Sequence, residues 1–204
     1  RYVREVRRLA LDRQEDLAEV MTREEGKPTS EAMGEIAKGC NLLEFYDGAG
    51  MRLKGESAYS ELPNNYIYSR RNPLGVVSII TPWNFPWAIP CWKIAPALVA
   101  GNAVVFKPAS NTPKLAVKLV ELFEEAGLPE GVLNLVIGSG STVGDELLNH
   151  EAIDGVSFTG SNNIGNHVNA QAAKKLIPAC LEMGGKNACI ILPDANKELA
   201  LGGI

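Results

Sequence analysis

Val76-Val77-Ser78-Ile79-Ile80-Thr81-Pro82-Trp83-Asn84-Phe85-Pro86 decides the fold. Four of its first five residues are β-branched and apolar. That run is too uniform for a half-exposed strand and too short for a helix, so it predicts a strand covered on both faces. Thr81-Pro82 ends it, and a helical pattern follows over 92–100. The same unit recurs downstream. A strand at 103–106 leads to a helix at 113–126, a strand at 133–137 to a helix at 143–148, and a strand at 155–158 to a helix at 164–174. Short strands at 179–181 and 188–192 close the series. Apolar strands alternating with helices predict an α/β fold, a parallel sheet with helices on both faces. Ligands of such sheets bind beyond the carboxyl ends of the strands, and each motif below falls at such an end.

Upstream the texture differs. Residues 1–54 read as helices. Gly26-Lys27-Pro28 ends the first, and the second runs through Ile36, Leu43 and Tyr46 to Gly48-Ala49-Gly50. Neither carries evident chemistry. Over 55–75, Tyr66, Tyr68 and Arg70 alternate with Ile67, Ser69 and Arg71 after a Pro63-Asn64-Asn65 turn. Polar and aromatic residues on both faces predict an exposed β-ribbon that needs a partner edge. The expected organisation is a helical segment at 1–54, a ribbon arm at 55–75 and the sheet domain at 76–204. The chain opens with Arg1 inside an amphipathic pattern (Val3, Val6, Leu9, Leu17), which is expected of an internal piece of a longer protein.

Composition excludes several classes. The 204 residues are 46% hydrophobic, and the formal net charge is -4, so no basic surface for nucleic acid is expected. Arg4, Arg7 and Arg8 face Asp12, Glu15 and Asp16 and read as a solvated helix face. No stretch approaches the roughly 18 apolar residues of a membrane span, and no leader pattern is visible; a cytoplasmic location is expected. Cys40, Cys91, Cys180 and Cys189 form no CxxC pair, and there are two histidines. No metal site is expected, and all four cysteines read as reduced core thiols.

The candidate chemistry lies in four motifs. Asn84, between Pro82 and Pro86 and flanked by Trp83 and Trp87, can donate its amide to a developing oxyanion; in isolation Asn is equally an ordinary turn residue. Phe85, Ile89 and Trp92 could line an apolar pocket around it. Glu182 lies in Leu181-Glu182-Met183-Gly184-Gly185-Lys186, an apolar, tightly turning context. Partial desolvation there would strengthen the carboxylate as a general base. Gly138-Ser139-Gly140 and Gly160-Ser161-Asn162-Asn163-Ile164-Gly165 follow strands and open helices, as phosphate-binding turns do. Neither has the spacing of the dinucleotide fingerprint or of a P-loop with its lysine, and ordinary βα turns look alike. Lys107-Pro108-Ala109-Ser110 ends the second strand, where a doubly wound fold meets the ribose of a dinucleotide. A lysine and a serine there, rather than an acid, suit NADP as well as NAD.

Taken together, Pro82-Trp83-Asn84-Phe85-Pro86, Lys107-Pro108-Ala109-Ser110, Phe158-Thr159-Gly160-Ser161 with Gly165, and Leu181-Glu182-Met183-Gly184-Gly185-Lys186 resemble the aldehyde dehydrogenase superfamily, in its order and across essentially the whole chain. The resemblance implies a Rossmann-like cofactor domain for NAD or NADP and a small-molecule aldehyde substrate. It casts Asn84 as half of the oxyanion hole and Glu182 as the base that activates the deacylating water. Lys107 and Ser110 would hold the adenosine ribose or its 2′-phosphate, and Ser161 the pyrophosphate. Thr81, Pro82, Trp83, Gly140, Gly144, Gly160 and Gly184 would lie along the cofactor. The ribbon would be the oligomerisation arm of a homodimer or homotetramer. Trp92-Lys93-Ile94-Ala95-Pro96-Ala97-Leu98 is similar to semialdehyde dehydrogenases of the α-ketoglutarate type.

Two departures stand out. Asn162 and Asn163 replace the residues more usual in the family's phosphate turn. The nucleophilic cysteine of the family lies beyond the glutamate motif, so the resemblance places it outside this chain and implies that residues 1–204 alone do not oxidise aldehydes. A non-catalytic NAD(P)-binding or interaction module is the alternative, although such a module needs neither Asn84 nor Glu182. Acylating relatives that use coenzyme A, or phosphate-reducing relatives, need no water-activating base, so Glu182 argues against them.

Overall fold

The structure, a computed structural model, describes residues 1–203. Helices α1 (Tyr2–Asp12), α2 (Gln14–Glu25) and α3 (Thr29–Asp47) open the chain. The single helix expected before Gly26 is broken at Arg13, whose φ/ψ of -119/23 leaves the helical region. The bend turns two apolar stripes, Val3/Val6/Leu9/Ala10 and Leu17/Ala18/Met21, onto the same neighbours. Both α1 and α2 pack against α3 and against α5 (Pro113–Glu125). Arg13 then reaches Glu125 of α5 through both terminal nitrogens at 2.7 Å. The basic face also differs from expectation, because Arg4 pairs with Asp47 and Arg7 with Glu44, both on α3, while Arg8 pairs with Glu5 and Asp12.

Strands β1 (Ser57–Tyr59) and β2 (Tyr66–Tyr68) form an antiparallel ribbon, exposed at every position. The remaining strands are β3 (Val76–Ile80), β4 (Ala103–Lys107), β5 (Leu133–Leu135), β6 (Gly155–Gly160) and β7 (Ala179–Met183). They make one parallel sheet in the order β5-β4-β3-β6-β7. The chain builds outward from β3 to β5, then crosses back to lay β6 on the other side of β3. The order therefore reverses between β3 and β6, and the carboxyl ends at such a reversal are where sheets of this kind bind ligands.

Alternation along the strands divides the core. Val77, Ile79, Val104 and Phe106 face α4 (Ala88–Val99) and α5, with α1–α3 packed outside them. Val76, Ile80 and Val105 face α6 (Asp145–Asn149) and α7 (Asn162–Lys175).

Several boundaries differ from the sequence expectation. Helix α4 begins at Ala88 rather than 92, because the N–H groups of Trp87 and Ala88 donate to Glu35 of α3 at 2.9 and 3.0 Å. The first turn of α5 is capped in the same way: Lys114 and Leu115 N–H donate to Glu24 of α2 at 2.7 and 2.9 Å. These caps come from carboxylates 52 and 90 residues away, so local cap signals could not reveal them. The helix expected at 143–148 is a π-turn over Gly140–Gly144 followed by the short α6. Residues 188–192 form no strand, and Ile190, Ile191 and Leu192 are exposed. A strand persists only when its backbone groups find a ladder partner, and β7 pairs only with β6 among the described residues. A final helix, α8, spans Lys197–Gly203.

Gly39 lets α3 approach α4 closely. A Cβ at this position would overlap the fully buried Trp87 indole and stand 3.2 Å from Cys91 Sγ. Helix propensity alone favours Ala over Gly by about 1 kcal/mol, but forced overpacking of a dense core costs about 1–3 kcal/mol. Gly39→Ala is therefore expected to lower stability in urea denaturation, whereas Gly34→Ala in the same helix, exposed with nothing within 4 Å of a new Cβ, is expected to raise it by about 0.5–1 kcal/mol.

Candidate active site

The strand register sets the candidate residues in rows. Ile80 is level with Lys107 on β4 and with Phe158 on β6, and Thr159 is level with Glu182 on β7. Thr81 and Glu182 therefore end strands two positions apart, about 10 Å across the sheet. Cys180 and Glu182 are in register with Ser157 and Thr159. These belong to the alternate set from Val156 and Phe158, which face α7, so Glu182 lies on the α4 side. The loop carrying Asn84 leads into α4 on that same side. Asn84 and Glu182 thus share one end and one face of the sheet, though no hydrogen bond joins them.

The loop 81–87 is held at several points. Thr81 N–H donates to Lys107 O at 3.2 Å, and the buried Thr81 hydroxyl has no hydrogen-bond partner. The backbone oxygen of Asn84 accepts from Lys27 Nζ at 2.7 Å. The Asn84 side chain is exposed, as are Trp83 at 54% and Phe85 at 37%, while Pro86 and Trp87 are buried. Ile89 is buried within α4, so of the three expected pocket residues only Phe85 and the half-buried Trp92 reach the surface. Lys38 stands over both rings, 5.7 and 6.0 Å from their centroids.

At the end of β4, Lys107 is buried and its ammonium finds one carbonyl, Pro108 O at 3.2 Å. Burial lowers its pKa. Gly144 lies over its stem, where a Cβ would be 3.7 Å from Lys107 Cε. Ser110 Oγ donates to Gly138 O at 2.9 Å, tying the β4 loop to the β5 loop. Gly140 has nothing within 4 Å of a would-be Cβ. Beyond β6, Ser161 caps α7 by accepting from Ile164 N–H at 3.5 Å. As first residues of the helix, Asn162 and Asn163 have N–H groups with no intrahelical partner. Gly165 brings α7 against β7, since a Cβ there would overlap the Met183 thioether. Gly160 and Gly184 flank this turn. A buried cation with one neutral partner, an unpaired buried hydroxyl and a helix N-terminus together suit an anionic, hydroxyl-bearing ligand.

Two expectations fail here. Glu182 is exposed rather than desolvated, because β7 is an edge strand among the described residues. Cys180 and Cys189 are likewise exposed, while Cys40 and Cys91 are core thiols as expected. An apolar groove of about 500 Å3 lined by Val76, Val105, Val136, Leu147 and Ile153 lies on the α6 face, opposite Glu182.

Three residues escaped the sequence reading. Lys93 of α4 is buried and donates to Ser157 Oγ at 3.0 Å and Phe158 O at 3.3 Å. Burial lowers its pKa, against the opposing charges of Cys180 and Glu182. A lysine inside an otherwise apolar helix was the available signal. Glu35 interrupts the apolar stripe Ala32, Ile36, Gly39, Leu43 of α3, which was also visible. Lys27, in the α2–α3 turn, gave none.

Residues 1–204 match the aldehyde dehydrogenase family throughout. The chain belongs to that family. It is 49% identical over 188 residues to an α-ketoglutaric semialdehyde dehydrogenase of Bacillus subtilis, covering 92% of this chain and 38% of that protein. An α-ketoglutarate semialdehyde dehydrogenase of Haloferax volcanii is 43% identical over 196 residues, 96% of this chain and 41% of that one. The fold superposes with a TM-score of 0.95 on a betaine aldehyde dehydrogenase from Staphylococcus aureus solved with NAD+, at 38% identity, covering 99% of this chain and 41% of that one. An NADP-dependent enzyme of E. coli gives the same score at 40% identity, with 99% and 42% covered. The chain thus spans about two fifths of these relatives.

Thiol chemistry distinguishes the two cysteine environments in this member of the family. Burial pushes the Cys40 thiol up to about 11 and Cys91 well above its ordinary value, so both stay protonated at pH 8. With an aromatic disulfide reagent at pH 8, residues 1–204 are expected to lose the exposed Cys180 and Cys189 thiols quickly, and Cys40 and Cys91 only upon unfolding. Peptide mapping checks the assignment.

Proposed function

We propose that this chain is the cofactor-side part of an NAD(P)-dependent aldehyde dehydrogenase that oxidises an aldehyde, of the semialdehyde class, to a carboxylic acid. The observation that carries the reading is the placement of Asn84 and Glu182 on one face at the carboxyl end of the sheet, beside the reversal of strand order between β3 and β6. The semialdehyde class rests on the similarity to the Bacillus subtilis and Haloferax volcanii enzymes. In this reading residues 76–204 form the cofactor domain and 55–75 an arm that joins copies of a cytoplasmic homo-oligomer. The nucleophilic thiol comes from outside 1–204, and the chain alone is inactive.

The residues present fit a dinucleotide. Lys107 and Ser110 stand where a ribose or its 2′-phosphate would lie, and the α7 N-terminus at Ser161 is suited to the pyrophosphate. Thr81 and Trp83 follow β3, and Gly140 and Gly144 follow β5, at the same edge of the sheet. Bound NAD(P)+ supplies the hydride acceptor. The Asn84 amide donates to the carbonyl oxygen as negative charge develops there after thiolate attack. Glu182, at the edge of β7, takes a proton from the water that releases the acid from the acylated thiol.

In the whole protein, Asn84→Ala is expected to lower kcat about 100-fold with little change in cofactor affinity, the scale of one lost oxyanion donor. Glu182→Gln is expected to slow steady turnover while a first burst of NAD(P)H survives in stopped-flow absorbance. An equal loss of burst and steady rate would remove Glu182 from deacylation. Lys107→Met is expected to weaken NAD(P)+ binding at least tenfold in fluorescence titration. It should also raise the thermal midpoint of the unliganded protein, because an apolar stem replaces a buried cation with one neutral partner.

A further inference from the structure

The Lys27 ammonium stands against three oxygen partners. They are the Glu25 carboxylate at 3.0 Å, the Glu35 carboxylate, and the backbone oxygen of Asn84 at 2.7 Å. The ammonium also stands 4.4 Å from the centroid of the Phe85 ring. Its side chain is 10% exposed, and those of Glu25 and Glu35 are 5% and 2%. Glu35 in turn accepts from Trp87 and Ala88 N–H through its other oxygen. One buried ion cluster, contributed wholly by α2, α3 and the turn between them, therefore grips the Asn84 loop at its middle and at its far end. Gly39 leaves room for the Trp87 indole at the far hold.

We propose that Lys27, fixed by Glu35, is the positioning residue that aims the Asn84 amide. The proposal rests on the oxyanion role of Asn84 given above. A hydrogen-bond donor stabilises developing charge only when its geometry is held in advance, within about 0.5 Å. The Asn84 side chain is exposed, so its direction depends on the backbone that bears it. That backbone is the loop 81–87, whose central carbonyl would be free without Lys27. Capping α4 requires only Glu35. A lysine that also reaches past the cap to the Asn84 carbonyl ties the amide to the helical segment, 57 residues away in sequence. In this account the N-terminal helices are part of the catalytic apparatus rather than packing alone.

The test is a double-mutant cycle on the whole protein with Lys27→Met and Asn84→Ala. Methionine keeps the apolar stem and removes the donors. Lys27→Met is expected to lower kcat about 10- to 100-fold while Kd for NAD(P)+ stays within a factor of two. The double variant is expected to be no slower than Asn84→Ala alone. Glu35→Gln keeps an acceptor for the α4 cap but loses the charge that fixes Lys27, so it should show a smaller kcat loss with the same dependence on Asn84; it serves as the second arm if Lys27→Met does not fold. Losses that multiply in both cycles would overturn the proposal and leave the cluster a stabilising device. Normal kcat in Lys27→Met, with Asn84→Ala impaired, would overturn it as well while leaving the oxyanion role standing. Unchanged kcat in Asn84→Ala would overturn the oxyanion role and the positioning proposal together.

Discussion

The carboxylate of Glu35 is the constraint on which the site depends. It is buried, and a buried charge is tolerated only when its hydrogen-bonding capacity is filled. Two backbone N–H groups of the α4 N-terminus and the Lys27 ammonium fill it. Removing one partner from such a buried pair typically costs about 3–5 kcal/mol. The start of α4, and with it the length of the loop that presents Asn84, is therefore set by a side chain of α3. Glu24 plays the matching part for α5 from α2. The N-terminal helices and the sheet are joined by charge at helix ends as well as by the shared apolar core.

The sheet supplies the second half of the arrangement. The strand order reverses beside β3, between β3 and β6. The loops that follow β3, β4, β5 and β6 meet there because parallel strands deliver every carboxyl end to one edge. Lys107 is buried at that edge with little to neutralise it, while Ser161 leaves the N-terminal amides of α7 available. Such features are poor choices for stability alone. They make sense as a surface prepared for negative charge.

Motif residues were legible because each needed a particular backbone event, an apolar strand followed by a Gly or Pro bend. Asn84, Lys107, Ser161 and Glu182 were all placed at strand ends by that pattern, and the structure sets them along one edge. Burial was legible less often. Cys180 and Glu182 sit in an apolar stretch of sequence, yet β7 is an edge strand, and its α4-side residues stay exposed among the described residues. The apolar run at 188–192 lacks a ladder partner for the same reason. Apolar character records what a segment can bury, not whether a neighbour is there to cover it.

By itself, the sequence determined the parallel α/β sheet, its helices, the exposed ribbon and the residues gathered at the carboxyl edge. Periodicity and turn chemistry are local, and a short apolar strand has few alternatives. Only the tertiary structure decided the break at Arg13, the start of α4 at Ala88, and the joining of Lys27 and Glu35 to the Asn84 loop. The break turns two apolar stripes onto partners far along the chain, and the other two depend on charges brought together across 50 or more residues, where the local signal is silent.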